Sequence, residues 1–183
     1  NSDFNVYVSG TSTFVQNQTA NGNMYFRVNV GGTPTNALTI NGSTGVVSGN
    51  QVNANYADVA ERFAADTEYE AGTVVELGGS KEITRSTEEL SDKVFGVIST
   101  RAAYLMNGNA GTDATHPPVA MTGRVPVRVT GIVRKGDRLV SAGNGLARSA
   151  QASEITAFNV IGRSLVEKLD SGEGMVEAIV TIK

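Results

Sequence analysis

The chain has 183 residues, 40% of them hydrophobic, with a net charge of −3 and a pI near 5.2. It has no Cys, which excludes disulfides, thiolate nucleophiles and zinc–thiolate sites, and its acidic balance argues against a general role in binding nucleic acid. The lack of Trp weakens a carbohydrate-processing reading, and no apolar run is long enough to insert across a bilayer as a helix.

Charge is distributed unevenly along the chain. Residues 1–57 carry two charges, Asp3 and Arg27, together with eleven Asn, while the other 31 of the 33 charges lie behind them. This contrast divides the chain into a shaft-like β segment over 1–55 and a charged β head over 56–183. The start has no initiator Met and no basic region followed by an apolar stretch, so the chain is expected to begin inside a longer protein. Asn1 and Ser2 precede Asp3, which leaves open whether this start is a processed end or an expression boundary.

Two segments of the front part alternate with period two, the signature of half-buried strands. Phe4, Val6 and Val8 face one way and Asn5 and Tyr7 the other. Met24, Phe26, Val28 and Val30 oppose Tyr25, Arg27 and Asn29. Gly31-Gly32-Thr33-Pro34 ends the second strand, and Leu38 and Ile40 belong to a third. Asn41-Gly42 is expected to turn the chain toward Val46 and Val47 through two positive-φ positions. Each strand offers only two to four apolar side chains, too few for a core within one chain, so three copies pairing with one another are expected. The alternative is an open Asn/Thr/Gly linker.

Residues 58–66 read as one or two helical turns with Val59 and Phe63 inward, and 88–91 as another turn. Strands are expected over 73–77, 81–85, 94–99, 119–122, 125–133, 138–141, 160–166 and 175–182. Two stretches share one plan: Gly72-Thr73-Val74-Val75, Gly78-Gly79, Thr84-Arg85-Ser86 and Phe95-Gly96-Val97, then Asp137-Arg138-Leu139-Val140, Asn144-Gly145, Ala147-Arg148-Ser149 and Ile161-Gly162-Arg163. Duplicated halves over 72–100 and 136–166 would close a small barrel or sandwich, with Gly96 and Gly162 at bulges or corners. The fold class expected is therefore mainly β, a shaft-like trimeric segment followed by a small β-barrel or sandwich with an internal repeat. Residues 105–118 form a long polar loop, in which Asn107, Asp113 and His116 are the candidate binding groups.

As an ordered set, YADVAERFAADTEYEAGTVVELGG (56–79), FGVIST (95–100), AYLMN (103–107), VAMTGRVPVRVTGIVRKGDRLVSAG (119–143) and VIGRSL (160–165) resemble the C-terminal domain of phage tail fibres and tail spikes. The group in question is classed as intramolecular chaperone auto-processing endopeptidases. GGTPTNALTINGSTGVVSG (31–49) resembles the shaft sequence that precedes such domains. The resemblance implies an elongated homotrimer of the virion, assembled in the host cytoplasm, whose terminal domain drives trimerisation. In some relatives that domain cuts itself away, by chemistry assigned to acidic residues. Partners expected are two further copies, the rest of the fibre chain and a host-surface receptor.

Carboxylates are the best candidates for any self-cleavage. Asp58, Glu61, Asp66, Glu68 and Glu70 cluster where shaft meets head, and on a helical turn Asp58 and Glu61 would share a face. A carboxylate buried near another has a raised pKa and can exchange a proton near neutrality. Asp58, Glu61 and Asp66 are the catalytic candidates if the domain processes itself; a solvated acidic turn partly paired with Arg62 is the alternative. A triad would have to use His116, the single His, in a polar loop. The Gly pairs at 31–32 and 78–79 lack the Lys-Ser/Thr of a phosphate loop, and no EF-hand pattern occurs, so neither a metal site nor a cofactor is expected.

Overall fold

A computed structural model describes residues 4–49 and 53–181. The Asn1–Asp3 start and the Ile182 end of the last expected strand lie outside the described residues. The chain divides into two compact units, Asn1–Asn53 and Ala54–Lys183. Among the described residues there is no α-helix, only strands and one 3-10 turn at Ala152–Glu154.

Unit 1 holds two small sheets. Strands β1 (Phe4–Ser9) and β2 (Ser12–Asn17) form a hairpin across Gly10, whose φ of 60° suits a two-residue turn. Strands β3 (Met24–Val30), β4 (Thr33–Ile40) and β5 (Val47–Gly49) form an antiparallel sheet in that order. Gly31 and Gly32 take φ of 58° and 92° between β3 and β4, as a two-residue primed turn requires. The Asn41-Gly42 expectation needs correction, because neither residue has positive φ. Instead Asn41 Oδ1 accepts from the N–H groups of Ser43 and Thr44, both at 3.0 Å, and Gly45 supplies the left-handed position at φ 72°.

Unit 1 buries no described residue. Phe26, Val28 and Val30 are 52%, 51% and 61% exposed, and β3 lays them beside Leu38, Thr35 and Thr33 of β4 on an uncovered face. In the hairpin, Val6 opposite Val15 forms an exposed apolar patch on one side. Tyr7 stacks on Phe14 on the other, with ring centroids 5.1 Å apart. A two-stranded ribbon that is apolar on both sides is marginal alone in water.

Unit 2 has β6 (Asp58–Arg62), β7 (Val74–Leu77), β8 (Ile83–Arg85), β9 (Val94–Ile98), β10 (Tyr104–Met106), β11 (Pro118–Thr130), β12 (Arg138–Gly143), β13 (Leu146–Ser149), β14 (Val160–Ser164) and β15 (Glu173–Thr181). Their order is β13-β12-β14-β15-β11-β9-β7-β8, which reads as two three-stranded sets placed about the central pair β15–β11. In each set a hairpin's first strand also pairs with the strand that follows the hairpin, and a register shift interrupts that second pairing. The bond between Val129 of β11 and Ala147 of β13 closes β11, β15, β14, β12 and β13 into a five-stranded barrel. The internal repeat is thus built as two equivalent hairpin-plus-strand sets, and the fold is mainly β.

Packing follows the alternation. Val125, Val127 and Val129 of β11 meet Val176, Ala178 and Val180 of β15 in the barrel interior, with Leu139, Ala147 and Ile161. Each fully buried Val or Leu contributes about 1.5–3 kcal/mol. A second cluster of Val75, Ile83, Ile98 and Val119 packs beside Phe63 and Phe95, whose rings meet edge to face at 4.9 Å. Gly162 lies where a Cβ would stand 2.1 Å from the Ile179 carbonyl oxygen, and Gly96 where one would stand 2.7 Å from that of Ala120. Both glycines allow a strand to lie against neighbouring backbone. Across the two sets, the Arg148 guanidinium makes a two-pronged pair with Glu154 at 2.9 Å per bond and reaches Glu89 at 2.6 Å. Its hydrogen bonds hold the Glu154 carboxyl below the ordinary carboxylate range.

Three expectations change at the level of elements. The helical turn expected over 58–66 is strand β6 followed by irregular chain. The separate strands expected over 119–122 and 125–133 are one continuous β11. Strands β2 and β10 are additional, and β10 takes Leu105 and Met106 out of the expected loop.

Candidate functional site

Strand β6 positions the acidic candidates. It pairs antiparallel with the first half of β11 and parallel with β10, so it is flanked on both edges. Its residue Asp58 lies opposite Gly123, at φ 113°, where a Cβ would stand 2.2 Å from the Ala57 carbonyl oxygen. This close approach leaves Asp58 only 4% exposed. Burial pushes its carboxyl above the ordinary range; the Ser99 hydroxyl and the backbone N–H groups of Asp58 and Ala103 oppose the shift. Ser99 is itself buried, yet neither its Oγ nor Asp58 Oδ2 completes a hydrogen bond.

Because β6 is a strand, its side chains alternate. Glu61, three residues from Asp58, points to the opposite face, and the shared face expected from a helical turn is corrected accordingly. Asp66 lies beyond the strand, where its Oδ1 accepts from the Tyr69 hydroxyl. Among the described residues no hydrogen bond joins any two of Asp58, Glu61 and Asp66, and no group of three His, Asp or Glu is placed to hold a metal ion. Asp58 is thus a buried carboxylate beside a buried Ser99, and burial favours its protonated form.

A raised pKa has a definite consequence for stability. The folded state binds Asp58's proton more tightly than the unfolded chain does, so the associated stability is complete below the unfolded pKa, near pH 4. It is lost as pH rises through the higher folded pKa. Asp58→Asn removes the charge and should therefore raise the thermal midpoint at pH 7 relative to the parent. The gain should shrink as pH falls through the raised folded pKa and should be gone below about 4. A gain that is constant across this range, or a loss that grows with pH, would contradict the assignment.

The loop candidates converge on Arg62, which the sequence reading associated with the acidic turn and not with this loop. Arg62 Nη1 pairs with Asp113 Oδ1 at 2.7 Å and donates to the His116 carbonyl oxygen at 2.7 Å, while Asn107 Nδ2 donates to the Arg62 carbonyl oxygen at 3.1 Å. Asn107 takes φ of 52° to do so. The His116 ring contacts the Thr115 hydroxyl at 3.1 Å, and Ala65 N–H donates to the Thr115 carbonyl oxygen. Asn107, Asp113 and His116 are therefore brought together, as the fastening of the loop onto β6. The sequence signal was Arg62 itself, an odd cation amid five nearby acids.

No protein-family model matches the chain, and no curated protein matches it. Among solved structures it is similar to one described as the pre-mature bacteriophage phi29 gene product 12. The TM-score is 0.55 and the identity 16%, over 81% of this chain and 24% of that one. The chain thus spans about a quarter of the length of that protein, and at this identity the likeness is one of fold: mainly β, with the strand architecture described above.

Proposed function

We propose that this chain is a structural and assembly module of a phage tail fibre or spike, working as a homotrimer. In this reading unit 1 is shaft material completed by two sister chains, and unit 2 is the C-terminal trimerisation domain, an intramolecular chaperone at the end of the fibre. The observation that carries it is that no described apolar side chain of unit 1 is buried, with Phe26, Val28 and Val30 more than half exposed, whereas unit 2 has a complete core of its own. The likeness of fold to a bacteriophage protein described as pre-mature agrees with it. Once three heads associate, their shafts are held at high local concentration, which lowers the entropic cost of starting the interlocked strands. Light scattering at micromolar concentration should give three times the 19.1 kDa of one chain; one chain's mass at all concentrations would refute the proposal.

A second reading, single-turnover self-cleavage near the junction of the two units, is favoured by the buried Asp58 carboxyl alone. In a longer form of the protein, it requires a second, smaller product that accumulates with the parent and disappears with Asp58→Asn, while Glu61→Gln leaves it in place. An intact chain in every case would leave the domain as a permanent tip. The loop at 107–117 has its candidate groups engaged with Arg62 or its own neighbours, so no observation favours receptor binding there.

A further inference from the structure

Four Asn-Gly steps occur in the chain, at 21–22, 41–42, 107–108 and 144–145. Such a step is open to internal attack, because glycine has no side chain to shield its backbone nitrogen from the neighbouring side-chain amide. In three of the four the fold withholds that nitrogen. Gly22 N–H donates to the Thr19 carbonyl oxygen and Gly145 N–H to that of Ser86, each at 2.9 Å. Gly42 N–H donates to Asn23 Oδ1, also at 2.9 Å. These glycines are hemmed in as well. A Cβ would stand 2.7 Å from Asn17 Nδ2 at Gly22, 2.1 Å from the Gly22 carbonyl oxygen at Gly42 and 2.7 Å from Thr73 Cγ2 at Gly145.

The step at Asn107-Gly108 differs in both respects. Residues 107–110 form a turn closed by the Ala110 N–H, which donates to the Asn107 carbonyl oxygen at 3.0 Å. Among the described residues no group accepts from the Gly108 N–H. A Cβ at Gly108 would meet nothing within 4 Å, and both residues are exposed. The Asn107 side chain nevertheless carries a tertiary contact. Its Nδ2 donates to the Arg62 carbonyl oxygen at 3.1 Å, directly after Met106 of β10 pairs with Glu61 of β6.

We propose that Asn107 modifies itself, converting to aspartate or isoaspartate through attack by the Gly108 nitrogen, and that the conversion unfastens the loop from β6. The Gly108 nitrogen gives up its proton and bonds to Asn107 Cγ; the Cγ–Nδ2 bond breaks, and the amide leaves as ammonia, taking that proton. Water then opens the resulting cyclic imide at either of its two C–N bonds. The sum is amide plus water to carboxylate plus ammonium, with no oxidant and no cut in the chain. Neither product has a side-chain N–H, so the bond to the Arg62 carbonyl oxygen is lost and a carboxylate, which only accepts, takes its place. Isoaspartate also lengthens the main chain by one carbon at the end of β10.

The test follows the intact chain at mildly alkaline pH, with a parallel sample in denaturant, by peptide mass spectrometry. Cleavage after Arg101 and Arg124 gives one peptide with Asn107, in which Asn109 is an internal control because it precedes alanine. In the folded chain Asn107 should convert at least roughly tenfold faster than Asn21, Asn41 and Asn144, where the structure must first open locally. In denaturant the four should convert at similar rates. Gly108→Ala should slow the step while leaving the fold intact. Hydrogen exchange reads the consequence. As conversion proceeds, the amides of β10 and the Ala103 N–H, which donates to the Asp58 carbonyl oxygen at 2.9 Å, should exchange faster, and Asn107→Asp should reproduce the change. Conversion of another Asn-Gly step ahead of Asn107, or equal rates at all four in the folded chain, would overturn the proposed modification. Full conversion with exchange in β10 unaltered would overturn the unfastening.

Discussion

Replacing Phe26 and Val28 together with Asp should abolish self-association of the chain while leaving unit 2 folded. Both side chains are about half exposed in one copy, on a face of β3–β4 shared with Val30 and Leu38. Completing the burial of such a side chain is worth on the order of 1 kcal/mol in one copy, and threefold symmetry multiplies the gain across the contact. Carboxylates brought together at the axis of an assembly would reverse the sign, since buried charges without partners cost several kcal/mol each. Far-ultraviolet dichroism should still show the β signal of unit 2, because Val125, Val127, Val129, Val176 and Val180 pack without help from unit 1. Chromatographic mass is the readout. A double variant that assembles as the parent does would show that this face is not an interface.

The second large effect concerns the barrel. Gly162→Val should destabilise unit 2 by roughly 4 kcal/mol or more, enough to unfold a domain of ordinary stability. At Gly162 a Cβ would meet the Ile179 carbonyl oxygen at 2.1 Å and Val180 Cα at 2.9 Å. Both obstacles are backbone of β15, which is held by β11 on its other edge and cannot retreat. Gly108→Ala is the control, because a Cβ there meets nothing within 4 Å and its effect should fall within about 0.5 kcal/mol. Chemical denaturation of both variants gives the comparison. A mild effect at Gly162 would mean that β14 and β15 do not approach as closely as described.

Much of this architecture could be read from residue patterns, and the physical reasons differ by element. Alternation located β3 because one side of that strand is uniformly apolar, whatever covers it. The repeat was visible because its marks are turn and packing constraints that only certain residues meet: Asn144-Gly145 takes φ of 53° and 73° in a primed turn, and Gly96 and Gly162 admit neighbouring backbone. Barrel closure was not visible, since it rests on a backbone pairing between Val129 and Ala147 that no side chain advertises. Strand β6 was misread as helical turns because Asp58–Arg62 is short and its apolar spacing fits either period. Being flanked by β10 and β11 decides its conformation, and that is tertiary information.

The same limit governs the candidate site. Asp58 was identifiable as a carboxylate at the junction, but its burial depends on Gly123, 65 positions later, in the register of β11. Its separation from Glu61 follows from strand periodicity. The role of Arg62 as the anchor of Asn107, Asp113 and His116 joins residues about fifty positions apart, a distance over which spacing carries no signal.

Sedimentation equilibrium on the intact chain, followed to low concentration, tests the dependence of unit 1 on sister chains most directly. The expected result is a single species of three chains, with slow hydrogen exchange at the amides of β3 and β4 that is lost once dilution or substitution of Phe26 and Val28 separates the copies. A single-chain mass with those amides still protected would contradict it, because it would mean that Phe26, Val28 and Val30 stay ordered with their exposed faces left in water.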